Sequence, residues 1–236
     1  MLQLFLPQIC IHCEVRCDRS SAKQRPLTKY LCAACLRQFE LFDVPKAEDL
    51  IMSSSLFREL PQATKLYSAF RFQNGGIIQS VIHHFKYRDM PKLASILGVI
   101  CHERMLMKEN YDLIIPIPLH RTRYSERGYN QSEMLAVGIS KISGIKKAKR
   151  NWLKRVRQTP SQTGFSVEER EENVRDAFKL SESGKKAFYK KRLLIIDDVI
   201  TTGATLSSAA KAVLDAAPQK IDLFSMAAVT DMGALQ

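Results

Sequence analysis

The chain has 236 residues, of which 45% are apolar and 25% charged, so it can bury one sizeable core and a smaller module. No apolar run approaches the ~20 residues of a membrane helix, and the apolar N-terminus lacks the basic leader and cleavage site of a signal peptide. We therefore expect a cytoplasmic chain without stable membrane insertion. A net charge of +12 favours an anionic partner such as nucleic acid or a phosphorylated metabolite.

The N-terminal segment contains two CxxC pairs separated by eighteen residues. They consist of Cys10, Cys13, Cys32 and Cys35. This spacing is typical of a structural zinc site, in which four thiolates leave no open position on the ion. Cys17 and His12 are alternative ligands, and redox disulfides are the rival interpretation that a reducing cytosol makes rarer. We predict a small zinc-ribbon-like module over residues 1–42.

Residues 43–66 have the mixed composition of a linker, and strands alternate with helices from residue 67 onward. Strands are predicted at 67–72, 111–120, 192–198 and 221–229, and helices at 77–88, 91–106, 131–142 and 206–217. The continuous apolar run before the acidic pair of 192–198 indicates a strand buried on both faces. This alternation predicts an α/β domain over residues 67–236, a mostly parallel sheet flanked by helices.

The stretch LLIIDDVITTGAT, residues 193–205, places two acids and a Thr/Gly turn directly after a predicted strand. Ligands of open α/β sheets bind beyond the carboxyl ends of strands, where we expect Asp197 and Asp198. The turn leads into a helix N-terminus, whose free N–H groups suit a phosphate. Its candidate binding residues are Thr201, Thr202, Gly203, Ala204 and Thr205. The alternative is a strand end capped by aspartate, with threonines that tie the turn.

This stretch resembles the phosphoribosyl pyrophosphate (PRPP) motif of type I phosphoribosyltransferases. Residues 83–98, 116–136 and 157–178, together with the double CxxC, resemble the ComF family of competence-associated proteins. The chain is therefore identified as similar to a ComF-like phosphoribosyltransferase homologue. The resemblance implies that PRPP binds with Mg²⁺, with the acidic pair on the ribose and the turn around the 5-phosphate.

The resemblance also assigns two loops to the pyrophosphate group. The loop from residue 116 to 123 would supply the backbone amides of Leu119 and His120 and the cations Arg121 and Arg123, because guanidinium groups match phosphate oxygens bidentately. Residues 155–172 would form the loop that closes over PRPP, and they include Arg157. Arg121 and Arg157 are the candidate catalytic residues that would stabilise the leaving pyrophosphate. Solvated arginines on a loop are the alternative.

Two basic clusters, at residues 145–157 and 185–192, contain embedded aromatic side chains. Cations that follow a backbone and rings that stack on bases suit single-stranded DNA. The candidate contacts are Lys147, Lys149, Arg150, Trp152, Lys190 and Lys191. Alternatively, the aromatic rings pack inward and the cations are merely solvated.

Three functions remain open from the sequence. The first is a DNA-uptake or DNA-handling protein of the ComF type that binds PRPP and single-stranded DNA and acts with other DNA-uptake proteins. The second is a phosphoribosyltransferase that transfers ribose 5-phosphate to an unidentified acceptor, since no nucleobase specificity region is recognisable. The third is a regulator that senses PRPP.

Overall fold

The computed structural model describes residues 8–17, 26–41, 58–61, 64–105, 110–157, 172 and 174–229. The helices in these ranges are α1 (Ala33–Leu41), α2 (Ile77–Tyr87), α3 (Pro91–Met105), α4 (Arg121–Arg127), α5 (Gln131–Ser143), α6 (Glu182–Phe188) and α7 (Ala204–Leu214). The strands are β1 (Leu66–Phe72), β2 (Leu113–Pro116), β3 (Lys146–Lys147), β4 (Leu153–Arg155), β5 (Phe178–Leu180), β6 (Arg192–Ile200) and β7 (Lys220–Val229). A short 3-10 helix, Pro26–Lys29, precedes α1.

Five strands form one sheet in the order β1-β7-β6-β2-β3, and every neighbouring pair is parallel. The central strands β6 and β7 are apolar nearly throughout because both faces are covered, as parallel sheets require. One face packs against α2, α3 and α5, and the other packs against α6 and α7. The antiparallel pair β4–β5 lies beside the second face. The expected α/β sheet flanked by helices is confirmed.

Helices α3 and α5 approach each other closely through glycines. A Cβ atom on Gly98 would lie 2.2 Å from the Leu135 carbonyl oxygen, and one on Gly138 would lie 2.0 Å from that of Ser95. Any side chain at either position would therefore push the two backbones apart. This contact fixes α5, whose N-terminal end lies beside the acidic pair described below.

The N-terminal cysteine segment packs directly onto the α/β domain. The Phe39 ring in α1 lies 4.8 Å from the Phe70 ring in β1, and the buried cysteines share one apolar cluster with Ile78 and Val81 of α2. A short segment with little core of its own thus shares the core of its neighbour. The predicted boundary at residue 42 lies outside the described residues, and the one at residue 66 coincides with the first residue of β1. Both domain boundaries stay predictions.

The eight elements predicted from residue 67 onward are confirmed, but β6 is longer than expected. It runs to Ile200 because β7 continues to pair with it as far as Ala228, so the strand extends two residues beyond the acidic pair. The sequence did not predict α4, α6 or the short strands β3, β4 and β5. None of the described helices combines the length and apolar character needed to cross a membrane.

Candidate metal and ligand sites

The four predicted thiols converge on one point. The Sγ atoms of Cys10, Cys13, Cys32 and Cys35 all lie within 4.8 Å of one another, and those of Cys13 and Cys32 are 3.6 Å apart. Thiolates placed about 2.3 Å from a tetrahedral zinc ion are about 3.8 Å from each other, so the cluster fits zinc. With four thiolates in place, the ion would have no open position and would be structural.

Neither alternative ligand joins this cluster. Among the described residues, the group that could hold a metal contains only the four CxxC cysteines. The Nδ1 atom of His12 lies 3.0 Å from the Ser80 hydroxyl of α2. Cys17 is buried, but its sulfur is not among the four that lie within 4.8 Å of one another.

The acidic pair lies where the sheet opens. β2 ends at Pro116, which is paired with Ile196, so the next two residues of β6 have no strand partner on that side. On the other side β6 remains paired with β7, which keeps the backbone of Asp197 and Asp198 in place. The two carboxylates therefore stand at a cleft between strands, at the carboxyl end of β2.

Each carboxylate has specific partners. The Oδ1 atom of Asp197 accepts hydrogen bonds from the Asp198 N–H at 2.8 Å and from the Ser132 hydroxyl at 2.9 Å. Asp198 forms an ion pair with Lys86 of α2, with 3.0 Å between Oδ2 and Nζ. Burial, and then the negative charge of Asp198, raises the pKa of Asp197 to about 6. Two acids held this closely favour a cation or polar hydroxyl groups between them.

The predicted phosphate turn forms a small cradle beside Asp197. Residues 199–206 line it together with that carboxylate. Gly203 has φ +84°, a left-handed conformation that favours glycine, and it stands immediately before α7. Because glycine has no side chain, it cannot cap the helix, although the Thr202 hydroxyl accepts a bond from the Ala204 N–H at 3.4 Å. The first turn of α7 thus faces the cradle with N–H groups suited to an anion.

Arginines crowd together beside the acidic pair. Burial, and then the charge of Arg127, lowers the pKa of Arg123, while burial and then the charge of Arg123 lower the pKa of Arg155 to about 10. Arg123 is also attracted by Asp198, and Arg155 by Asp197. Like charges concentrated in a partly buried cleft are typical of an anion-binding site. Lys86 adds a fourth cation beside the acidic pair, and Glu126 also attracts Arg123.

The residues assigned to the pyrophosphate loop occupy other positions. Leu119 and Arg121 line a separate cavity of about 560 Å³. His120 is the N-cap of α4, and its Nδ1 atom accepts a bond from the Thr122 N–H at 3.4 Å. The segment expected to be an open loop is thus partly helical. The roles assigned to these residues stay predictions.

Arg157, the second catalytic candidate, is exposed. Its guanidinium lies 3.5 Å from the carbonyl oxygens of Glu172 and Arg175. Most of the loop expected to close over PRPP, residues 158–171, lies outside the described residues. Arg155, at the start of that predicted loop, instead ends β4.

The candidate DNA-binding residues divide into two groups. Lys147 and Arg150 both pair with the buried carboxylate of Glu133, so their charges are partly neutralised. Lys149, Lys190 and Lys191 are exposed. Trp152 is half-buried and stands edge-on to the fully buried Phe188, with 5.7 Å between ring centroids. The alternative in which the aromatic rings pack inward therefore holds for Phe188 and in part for Trp152.

A groove at the opposite edge of the sheet joins the two basic clusters. It has a volume of about 880 Å³ and lies where β2, β3 and β6 begin. Trp152 and Lys146 from the first cluster and Lys191 from the second line it together. The groove also contains Asp112, which pairs with Arg192.

Lys86, Arg127 and Ser132 emerge as functional candidates only from the structure, and all three lie on or near the acidic pair. Arg123 and Arg155 belong to the two predicted loops, and the structure places both near the same carboxylates. Lys86 lies in residues 83–98, a stretch that resembles the ComF family, and this resemblance could have identified it. Ser132 had no such signal, because only the packing of α5 brings its hydroxyl to Asp197.

Comparisons with known proteins come from three sources. The chain is 30% identical over 196 residues to competence protein F of Haemophilus influenzae, covering 83% of this chain and 77% of that protein. It is 28% identical over 147 residues to DNA utilization protein YhgH of Escherichia coli, covering 58% and 61% respectively. A solved structure of the allosteric regulatory enzyme of purine biosynthesis matches with a TM-score of 0.41 and 17% identity, over 60% of this chain and 29% of that one. No family model matches the chain.

Proposed function

The chain belongs to the competence protein F family, and we propose that it binds PRPP with Mg²⁺ and single-stranded DNA and acts in DNA uptake or DNA handling. The names of its relatives, competence protein F and DNA utilization protein, support the DNA role. The PRPP role is supported by the acidic pair, the phosphate cradle and the arginines, which meet in one cleft.

The observation that carries the PRPP proposal is the joint position of anionic and cationic groups. Asp197 and Asp198 suit the ribose hydroxyls and the water shell of Mg²⁺, and the N-terminal end of α7 suits the 5-phosphate. Arg123 and Arg155 repel each other, and pyrophosphate supplies several negative charges that would offset this repulsion. Bound Mg²⁺ would offset part of that charge. The four CxxC thiols would hold structural zinc away from this chemistry.

The DNA proposal depends on the groove at the N-terminal edge of the sheet. Lys190 and Lys191 are exposed at or beside it, and Trp152 offers part of its ring surface. A base stacked on an aromatic side chain contributes about 1–3 kcal/mol, and each lysine near a phosphate adds a salt-dependent contribution. Lys147 and Arg150 contribute less, because Glu133 holds them.

Calorimetric titration with PRPP, with and without Mg²⁺, tests the first part of the proposal. We expect one-to-one binding that requires the metal. The absence of heat up to millimolar PRPP in the presence of Mg²⁺ would refute the assignment of the cleft.

Binding of an oligothymidylate strand at several salt concentrations tests the second part. Replacing Lys190 and Lys191 by glutamate should make the slope of log K against log salt less steep by about 1–2. Lys92→Glu reverses the charge of an exposed residue on α3 and should leave the slope unchanged. An equal loss per reversed charge in both variants would mean that binding depends on net charge and not on this groove.

Phosphoribosyl transfer is the second candidate, favoured by the half-buried cations beside the acidic pair. A departing pyrophosphate gains charge in the transition state, and Arg123 and Arg155 are placed to stabilise it. Release of pyrophosphate that depends on an added nucleobase or DNA acceptor would support this function. Binding of PRPP without turnover by any acceptor would favour a regulator that senses PRPP.

A further inference from the structure

The cavity of about 560 Å³ on the far side of the 116–121 loop has the size of a small-molecule site. It lies at the carboxyl ends of β2 and β3, between α4 and β4. Its apolar lining consists of Ile115, Pro116, Pro118, Leu119, Ala148 and Leu153. None of the carboxylates or threonines of the PRPP cleft lines it, although the 116–121 loop and Arg155 lie between the two spaces.

The cavity contains one buried acid, Glu133. This carboxylate already accepts bonds from the Lys147 ammonium and the Arg150 guanidinium. Two carboxylate oxygens offer about four acceptor positions, so the group retains room for a ligand donor. Asn130, another lining residue, uses its side chain to bond the Ile117 carbonyl and the first N–H groups of α5. Glu133 is therefore the principal acceptor available to a ligand inside the cavity.

The opening combines a planar stack with cations. The Arg150 guanidinium lies 5.0 Å from the centre of the Tyr124 ring and donates to its hydroxyl at 3.1 Å. Arg121, Lys149 and Lys154 are exposed lining residues. These features match the parts of a nucleotide. The apolar slot and the flat stacking surface fit the faces of the base, the inner acceptor fits its exocyclic amine, and the outer cations fit the phosphate.

We propose that this cavity is a second site that binds the base of a nucleotide, with the amine directed to Glu133 and the phosphate to the cations at the opening. A free nucleotide and a base of single-stranded DNA share this chemistry. The proposal goes beyond PRPP binding, because it gives the chain a second ligand next to the first. The 116–121 loop and Arg155 border both sites and would contact both ligands.

The test uses the full chain and two probes, adenosine 5′-monophosphate (AMP) and an oligodeoxyadenylate strand, each in calorimetric titration. Ser125, exposed on α4 at the cavity lining, offers a matched pair of variants. Ser125→Trp should obstruct the cavity and raise the Kd of the bound probe at least tenfold, whereas Ser125→Ala should change it less than twofold. Both variants should keep the PRPP affinity of the wild type within twofold.

Weaker AMP binding in Ser125→Trp would identify a free nucleotide as the ligand, and weaker binding of the strand alone would identify a DNA base. No binding of either probe at millimolar concentration, or binding unaffected by Ser125→Trp, would overturn the proposal. Asp198→Asn separates the two sites, because it should remove PRPP binding and retain AMP binding. Inosine 5′-monophosphate, which lacks the amine, should bind more weakly than AMP, and Glu133→Gln should reduce that preference.

Discussion

The cysteine cluster and the acidic pair both contact α2, yet they are assembled in different ways. Ser80 in the first turn of α2 bonds His12 of the cysteine module, and Lys86 in the last turn pairs with Asp198. The thiols come from two short motifs that each turn tightly on themselves. The acidic pair instead receives its partners from α2, α4, α5 and β4, which are far apart in the chain.

This difference determines what each region depends on. The cysteine segment has little apolar core of its own, so its order depends on a metal ion and on the shared packing with β1 and α2. The backbone of the acidic pair belongs to β6, which is paired with β7 on one side, so its position depends on strand pairing. We therefore expect metal removal to affect folding and loss of an acid to affect binding.

The largest effect should follow from loss of a zinc ligand. Cys35→Ser should abolish the one-to-one zinc content and lower Tm by about 10 °C or more, because zinc binding and folding of the module are coupled. Zinc content by colorimetric chelation and Tm by differential scanning fluorimetry measure both. Cys17→Ser is the matched control, a buried cysteine outside the cluster, and it should keep the zinc. Zinc loss in Cys17→Ser would contradict the four-ligand assignment.

The next effect concerns PRPP binding. Asp198→Asn should weaken it at least 100-fold, about 2.7 kcal/mol, because a charged contact to the ligand and its metal is lost. Calorimetry with Mg²⁺ present measures the change, and Tm should move little. Asp176→Asn is a suitable control, since this exposed aspartate has φ +56°, a conformation that asparagine also tolerates. Normal PRPP binding by Asp198→Asn would show that the cleft binds something else.

The parts of the molecule that the sequence predicted are those encoded locally. The thiol cluster follows from two CxxC turns, and the acidic pair and its cradle follow from one continuous stretch. Long helices and buried strands were also predictable, because their apolar periodicity extends over many residues. In each case the determining interactions lie within one element or one turn.

The parts that escaped prediction depend on contacts between elements. Arg121 and Arg123 show this most clearly, because α4 was expected to be a loop. In a helix, residues two apart point about 200° apart, so Arg121 lines the separate cavity while Arg123 is attracted by Asp198. Likewise, β6 extends past the acidic pair only because β7 pairs with it there. No periodicity in the sequence contains that information.

A smaller effect concerns the cost of the acidic pair to stability. The pKa of Asp197 is raised from 3.8 to about 6, so the native chain binds more protons than the unfolded chain between these values, and stability falls as the pH rises through them. Asp197→Asn should therefore raise the free energy of unfolding at pH 8 by about 1–2 kcal/mol, less than the full shift because two hydrogen bonds weaken. The gain should shrink as the pH falls from 8 to 5.5.

Urea unfolding at several pH values measures this trend. Asp176→Asn, whose side chain is exposed, should show no such dependence in that range. A stabilisation that stays constant from pH 5.5 to 8 would indicate that Asp197 is ionised in the native chain throughout that range, as it is in the unfolded chain, and would remove the strained charge from the description of the cleft.

The smallest effect concerns the hydrogen bond that joins the two regions, between His12 and Ser80. In a double-mutant cycle of His12→Ala and Ser80→Ala, we expect a coupling free energy of about 0.5–1.5 kcal/mol, the usual contribution of one hydrogen bond. Zinc content should remain one per chain, and PRPP affinity should change less than twofold, because Lys86 is held separately by Asp198. Zinc loss in His12→Ala alone would make the imidazole a ligand. A large drop in PRPP affinity in both variants would show that the cysteine module positions α2 for the acidic pair, and that the two regions act as one.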